Sequence, residues 1–166
     1  HPQKWPKDFN YADKKVIVIG SGATAATIVP EIAKKSKHVT MLQRSPTYYF
    51  PSLDEDRFAN FLKKILPTKF SYSFIRLRNV LFQQLLYRIC RRFPNFVKRK
   101  LIDHVKEMLP NHDIQKHFTP SYNPWEQRMC LIPNGDLFES LRENRATIVT
   151  DHIDEFTQHG IKLKSG

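Results

Sequence analysis

A run of four β-branched residues opens the regular part of the chain. Residues 16–19 read Val-Ile-Val-Ile with no polar residue among them, and a glycine follows directly. A continuous apolar run of this kind predicts a strand that is buried on both faces. The segment 23–36 has a helix-forming composition, and residues 38–42, His-Val-Thr-Met-Leu, predict another strand. This order predicts two parallel strands joined by a helix.

The middle of the chain changes to helical periodicity. Between residues 55 and 109 apolar positions recur at steps of three and four, and Pro67 and Pro94 divide this region into separate helical segments. The pattern predicts amphipathic helices whose apolar faces pack on the core while basic side chains face water. A membrane-surface role for residues 57–106 is an open alternative. Nucleic-acid binding is not expected, because no recognition motif accompanies the basic residues.

The last third of the chain predicts the remainder of a sheet. Prolines make residues 110–135 loop-like, a short helix is expected at 136–144, and a strand at 146–149. The tail from Ile153 to Leu163 has the pattern of a β-hairpin. The predicted fold class is therefore α/β, a Rossmann-like parallel sheet with an inserted basic helical segment and a C-terminal hairpin.

A glycine-rich turn lies between the first predicted strand and helix. It matches the pattern G-x-G-x-x-A, in which the first glycine makes a tight turn and the second lets a pyrophosphate approach the backbone. The small third position keeps helix and strand close, and the free N–H groups at the helix start attract phosphate. The candidate cofactor-binding residues here are Gly20, Ser21, Gly22, Ala23, Thr24 and Ala25.

The residue after the second predicted strand indicates which dinucleotide is bound. NAD-binding domains place an acid here, but Arg44 occupies the position, and no Asp or Glu lies between Glu31 and Asp54. A guanidinium binds a phosphate through two parallel hydrogen bonds, and the Ser45 hydroxyl can add a third. The sequence therefore predicts NADPH as the cofactor. The alternative is that Arg44 is a solvated charge at a strand end.

Composition narrows the possible chemistry. The formal net charge is +11, and residues 57–106 hold 13 Lys and Arg against one acid, Asp103. Two cysteines, Cys90 and Cys130, are too few for a disulfide framework or a metal cluster, so we expect a cytoplasmic protein without a metal site. No apolar run reaches membrane-spanning length.

One further residue is a candidate for catalysis. Arg128 lies between a Pro/Trp loop and an apolar patch, where a cation above a cleft can stabilise developing negative charge. A structural ion pair is the alternative role. The sequence contains no evident nucleophile or general base, so the chemistry would have to come from a cofactor.

Several motifs together resemble a known family. They are His1-Pro2-Gln3-Lys4-Trp5-Pro6, the glycine-rich turn, residues 38–51 with their Gln-Arg-Ser-Pro core, Tyr122 through Arg128, and residues 133–138. In this order they resemble the NADPH-binding region of the class B flavin monooxygenases of the Baeyer–Villiger type, and within them the ethionamide-activating group.

The resemblance implies roles for individual residues. His1 and Trp5 match the second half of a linker fingerprint between the FAD and NADP domains. Arg44 would bind the 2′-phosphate beside Ser45, and Arg128 would contact flavin and nicotinamide. Many members have Lys immediately before that arginine, whereas this chain has Gln127.

The resemblance also implies an activity. NADPH would reduce FAD, and a flavin C4a-peroxide formed with O₂ would insert one oxygen into a ketone or add it to the sulfur of a thioether or thioamide. The chain would be a fragment, inactive alone, because FAD would be bound mainly by a missing domain. Two alternatives stay open: a stand-alone NADP-binding module that docks on a membrane or partner, and an NADPH-dependent flavoprotein reductase.

The same comparison suggests a division of the chain. Residues 1–12 would be the linker from the FAD domain, and 13–52 the first part of the NADP-binding domain. Residues 53–110 would be the helical insertion, and 111–166 would carry the arginine loop and the remainder of the domain.

Overall fold

The computed structural model describes residues 2–6, 8–127 and 129–166. Two predicted functional residues, His1 and Arg128, lie outside the described residues. A 3₁₀ turn (Pro2–Lys4) precedes the regular elements. These elements are β1 (Lys15–Ile19), α1 (Ala23–Ala33), β2 (His38–Gln43), β3 (Tyr49–Ser52), α2 (Arg57–Ile65), α3 (Thr68–Arg92), α4 (Pro94–Met108), α5 (Ile114–Phe118), β4 (Cys130–Pro133), α6 (Asp136–Arg142), β5 (Ala146–Thr150), β6 (Ile153–Thr157) and β7 (Gly160–Leu163).

The main sheet has three parallel strands in the order β1-β2-β5. Val39 on the central strand pairs with Val16 on one side and Ala146 on the other, and it is fully buried. Parallel neighbours require a crossover, which α1 supplies between β1 and β2. The predicted α/β class, the parallel sheet and the C-terminal hairpin, formed by β6 and β7, are confirmed.

One hydrophobic core lies against this sheet. Helices α1 and α6 contribute eight of its eighteen described buried residues, with Val29, Phe138 and Leu141 almost completely buried. The end of α4 adds Val105, and Leu109 follows it into the core. Burial of side chains of this size stabilises a fold by about 1.5–3 kcal/mol each. The core therefore holds the sheet and its two covering helices together, and it positions the strand ends.

The prediction that the first strand is buried on both faces is wrong. Val16 and Val18 pack towards the core, but Ile17 and Ile19 are 43% and 54% exposed. The described helices cover only the face of β1 that carries the valines, and β1 is an edge strand. A groove of about 1020 Å³ follows this edge. The composition of β1 suits a strand that is buried on both faces, but the described residues pack against only one of them.

The prediction of a loop over residues 110–135 is also wrong in part. Helix α5 lies within this range, and β4 pairs in parallel with β3 to form a second, two-stranded sheet. Both strands contain a proline, Pro51 in β3 and Pro133 in β4. Proline lacks an N–H for the ladder and normally indicates a break, which hid these strands in the sequence.

The apolar faces of α2 and α3 do not pack on the core, which corrects the prediction made for the helical segment. Helix α3 has 25 residues, and of these only Ser71 and Cys90 are buried. We call the exposed part the α2–α3 surface. Its apolar members are Phe58, Phe61, Ile65, Phe70, Phe74, Leu77, Leu81, Phe82 and Leu85. Periodicity shows that a helix has an apolar face, but not what covers it.

Helix length and hydropathy decide whether a helix could cross a membrane. No helix among the described residues is long and apolar enough to cross a membrane.

Candidate functional site

The glycine-rich turn has the backbone geometry that its sequence predicts. Gly20 has φ +123°, a region that side-chain-bearing residues rarely adopt. Its N–H donates to the carbonyl of Leu42 at 2.7 Å, which fixes the turn beside the end of β2. The turn thus leaves the carboxyl end of β1 and bends directly over the neighbouring strand.

Two residues from the second sheet contact the backbone of this turn. The Tyr49 hydroxyl donates to the Ser21 carbonyl at 3.0 Å, and the Cys130 thiol lies 3.8 Å from the same oxygen. Burial raises the pKa of Tyr49, so the phenol stays protonated and remains a donor. Sequence reasoning did not find this anchor, because the contact joins residues far apart in the chain.

The start of α1 offers an open, electropositive space. Gly22 precedes the helix in extended conformation with no side-chain cap, so the first N–H groups of the helix are free to meet a ligand. A Cβ added at Gly22 would meet nothing within 4 Å. The space belongs to a cavity of about 400 Å³, which we call the turn cavity. Its lining is Ser21, Gly22, Ala23, Thr24, Ser45, Pro46, Thr47, Tyr122, Gln127, Met129 and Cys130.

A second cavity, of about 500 Å³, lies on the other side of the turn. We call it the Arg44 cavity. Ser21 and Ser45 line both cavities, so the two adjoin. The Ser21 hydroxyl donates to the Ser45 carbonyl at 3.4 Å, which links the turn to the segment after β2. The lining is Ile19, Gly20, Ser21, Leu42, Arg44, Ser45, Asp151, His152, Ile153 and Lys164.

A cluster of hydrogen-bonded polar side chains joins the ends of β2 and β5 next to Arg44. The Gln43 amide donates to the Thr150 hydroxyl and to the His117 carbonyl, both at 2.8 Å. The Thr150 hydroxyl lies 2.7 Å from His117 Nδ1. Burial is the main cause that lowers the pKa of His117, which favours the neutral ring that can accept from Thr150. The cluster ties β2, β5 and α5 together and positions the backbone that carries Arg44.

The structure places the sequence-predicted residues as follows. Gly20, Ser21, Gly22, Ala23, Thr24, Arg44 and Ser45 line the two cavities. Ala25 is buried where α1 packs on the sheet. Trp5 does not line either cavity and instead stacks edge-on against Phe9, with ring centroids 5.5 Å apart.

The surroundings of Arg128 reach the same place, although Arg128 itself lies outside the described residues. Gln127 and Met129 both line the turn cavity. The Tyr122 carbonyl accepts a hydrogen bond from the Tyr48 hydroxyl at 2.6 Å, which ties Tyr122 to the residue before β3. The chain therefore passes the glycine-rich turn on either side of position 128.

The parallel sheet, with a glycine-rich turn at the carboxyl end of β1 and cavities beside that turn, has the architecture of the Rossmann-type α/β fold. Comparison with known proteins agrees with that class. No protein-family model matches the chain. The chain is 48% identical over 168 aligned positions to the FAD-containing monooxygenase EthA of Mycobacterium tuberculosis. It is 47% identical over 167 positions to the probable FAD-binding monooxygenase AlmA of an Acinetobacter species.

Both alignments cover the whole chain and 34% of the relative. The resemblance predicted from the motifs is therefore confirmed: the chain is related over its full length to FAD-containing monooxygenases and spans about a third of their length.

Solved structures agree on the fold. The chain matches OTEMO in complex with FAD and NADP with a TM-score of 0.70 at 17% identity, over 97% of this chain and 37% of that one. It matches an oxidised steroid monooxygenase bound to NADP with a TM-score of 0.72 at 16% identity, over 98% and 38%. At these identities the match concerns the fold alone.

Proposed function

We propose that the chain is the NADPH-binding part of an FAD-dependent monooxygenase. One observation carries the proposal: the turn cavity and the Arg44 cavity adjoin at Ser21 and Ser45, with a bare glycine and a helix start on one side and a guanidinium on the other. A pyrophosphate and a 2′-phosphate need these two kinds of group at neighbouring positions. Among the relatives, EthA and AlmA are named for FAD, and the OTEMO and steroid monooxygenase structures hold NADP.

The residues present fit NADPH. The open space at the Gly22 Cβ position admits a pyrophosphate close to the backbone, and no acid lies in the first turn of α1 to repel it. Arg44 is exposed towards its cavity and, among the described residues, forms no ion pair. When bound, NADPH supplies a hydride and FAD activates O₂. This chain would hold the nucleotide, and Arg128 would supply positive charge near the reacting atoms.

The remaining parts of the proposal come from the motif resemblance and from the composition of the chain. The substrate is a ketone, thioether or thioamide, and O₂ is the co-substrate. The protein is cytoplasmic. The division into a linker (1–12), two parts of the NADP-binding domain (13–52 and 111–166) and a helical insertion (53–110) is retained as part of this proposal.

Arg44→Ala tests the cofactor assignment. In the full polypeptide, we expect the dissociation constant for NADPH to rise by about tenfold to 100-fold, because a charge-assisted pair with phosphate contributes about 1.5–3 kcal/mol. Binding of NADH, which lacks the 2′-phosphate, should stay the same. Titration with both nucleotides measures this. Equal losses for NADPH and NADH would contradict the 2′-phosphate role.

A second candidate function concerns the α2–α3 surface, for which we propose peripheral contact with an anionic membrane. Residues 57–92 carry nine Lys and Arg and no acid, next to exposed Phe and Leu side chains. Protein interfaces are depleted in lysine, whereas interfacial membrane helices combine Lys and Arg with Phe and Leu. The groove beside β1 differs, because Lys4 is the one charged side chain among the described residues that line it. That groove suits the rest of a polypeptide chain.

The double variant Leu81→Glu with Leu85→Glu tests this contact in the full polypeptide. We expect sedimentation with vesicles rich in anionic lipid to fall at least about tenfold, since each change removes apolar contact and adds repulsion. Phe156→Glu is the matched control, because Phe156 is 70% exposed on the hairpin. If the parent protein does not sediment with anionic vesicles at low salt, the membrane proposal fails and the surface is covered by protein.

A further inference from the structure

The end of the hairpin is fastened at the mouth of the Arg44 cavity. The Lys164 N–H donates to the His152 carbonyl at 3.0 Å, and the Ser165 N–H donates to Asp151 Oδ2 at 3.2 Å. The Ser165 hydroxyl also donates to Asp151 Oδ2. These bonds tie the segment after β7 to the segment after β5. These bonds hold Lys164 in the lining of the cavity that Arg44 and the glycine-rich turn also line.

Two cations line this cavity without an acidic partner. Lys34, Arg78, Arg145 and Lys162 all pair with carboxylates, whereas within the described parts of the chain neither Arg44 nor Lys164 forms an ion pair. Asp151 lines the cavity, but its oxygens accept from Ser165 and, at 2.6 Å, from the His152 N–H. The Ser165 hydrogen bond is the main cause that lowers the pKa of Asp151.

The Asp151 carboxylate stays ionised, so the cavity lining holds two positive side chains and one negative one. The excess positive charge favours a bound anion. The described residues that line the neighbouring turn cavity include no Lys or Arg, and Gln127 there is a neutral amide. They therefore provide no second cation for the nucleotide. Among the residues that line the Arg44 cavity, Lys164 is the one lysine.

We propose that Lys164 is the second cation, beside Arg44, for the 2′-phosphate of NADP(H). Arg44 approaches the phosphate from the end of β2 and Lys164 from the end of the hairpin. The proposal rests on the proposed function, since it assigns a further residue to the same cofactor site. Lys164 lies 120 positions after Arg44, so no local sequence pattern connects the two.

Binding of two mononucleotides to the full polypeptide tests this role without relying on activity. Adenosine 2′,5′-bisphosphate carries the 2′-phosphate, and adenosine 5′-monophosphate lacks it. In Lys164→Gln we expect the dissociation constant for the bisphosphate to rise about tenfold, and that for the monophosphate to stay within twofold. Lys164→Arg keeps the charge and should restore most of the affinity. Calorimetry gives both constants.

Lys162→Gln is the matched control. Lys162 lies two residues away and loses the same charge, but it pairs with Asp154 and Glu155 and does not line the cavity. Unchanged bisphosphate binding in Lys164→Gln, with a loss in Arg44→Ala, would overturn the role of Lys164 alone. No loss in either variant would overturn the NADPH site itself. Equal losses for both nucleotides would also overturn the 2′-phosphate role. Thermal unfolding of each variant shows that the fold is intact.

Discussion

Gly22→Val is expected to raise the dissociation constant for NADPH by about 100-fold in the full polypeptide while leaving the fold intact. The backbone at Gly22 is extended with φ −76°, which suits valine, and a Cβ there meets no atom within 4 Å. The protein therefore has room for the new side chain. The new side chain would block the pyrophosphate, because the approach of a pyrophosphate to the backbone depends on the absence of a Cβ at Gly22. Fluorescence titration with NADPH and a thermal unfolding curve measure the two effects.

Gly160→Val is the matched control for this prediction. Gly160 lies in the hairpin, and its added Cβ also meets nothing within 4 Å, but it lines neither the turn cavity nor the Arg44 cavity. We expect its NADPH affinity to remain within twofold of the parent protein. Unchanged NADPH binding in Gly22→Val would show that the nucleotide does not cross the turn. A smaller loss in Gly22→Ala is expected, since the blocked volume is smaller.

Arg128→Ala is expected to reduce the yield of oxygenated product by about 10²–10³-fold, with flavin still bound. The loss of one positioned donor that stabilises developing negative charge typically has this size. The flanking residues Gln127 and Met129 line the turn cavity, where we propose that the nucleotide binds. Product is measured with a ketone and with a thioether, and flavin content by absorbance.

Arg145→Ala serves as the control for this change, because Arg145 is a half-buried arginine that pairs with Glu143 at 2.6 Å and lines neither cavity. It should leave product yield unaltered. NADPH oxidation followed in the same assay separates the proposed functions. Continued NADPH oxidation without product in the parent protein would favour the reductase alternative. Unchanged product yield in Arg128→Ala would make Arg128 a structural residue.

Prediction from the sequence worked best where local pattern and fold agree. The strand, turn and helix around Gly20 follow from apolar continuity and from glycine positions that no other residue fills as well. The predictions failed at two kinds of place. Strands β3 and β4 each contain a proline, and their pairing partners lie about 80 residues apart. The apolar periodicity of α2 and α3 predicted the helices correctly but not the exposure of their apolar faces. Periodicity does not show which part of a protein, if any, packs against such a face.

The sequence by itself determined the α/β class, the parallel order of strand and helix, and the candidate residues at the glycine-rich turn and at Arg44. These rest on local steric rules and periodicity, which act over a few residues. Only the tertiary structure decided that Tyr49 and Cys130 hold the turn, that Ile17 and the α2–α3 surface are exposed, and that Lys164 lines the same cavity as Arg44. Such contacts join residues that chain folding brings together across long separations, and no short window of sequence contains both partners.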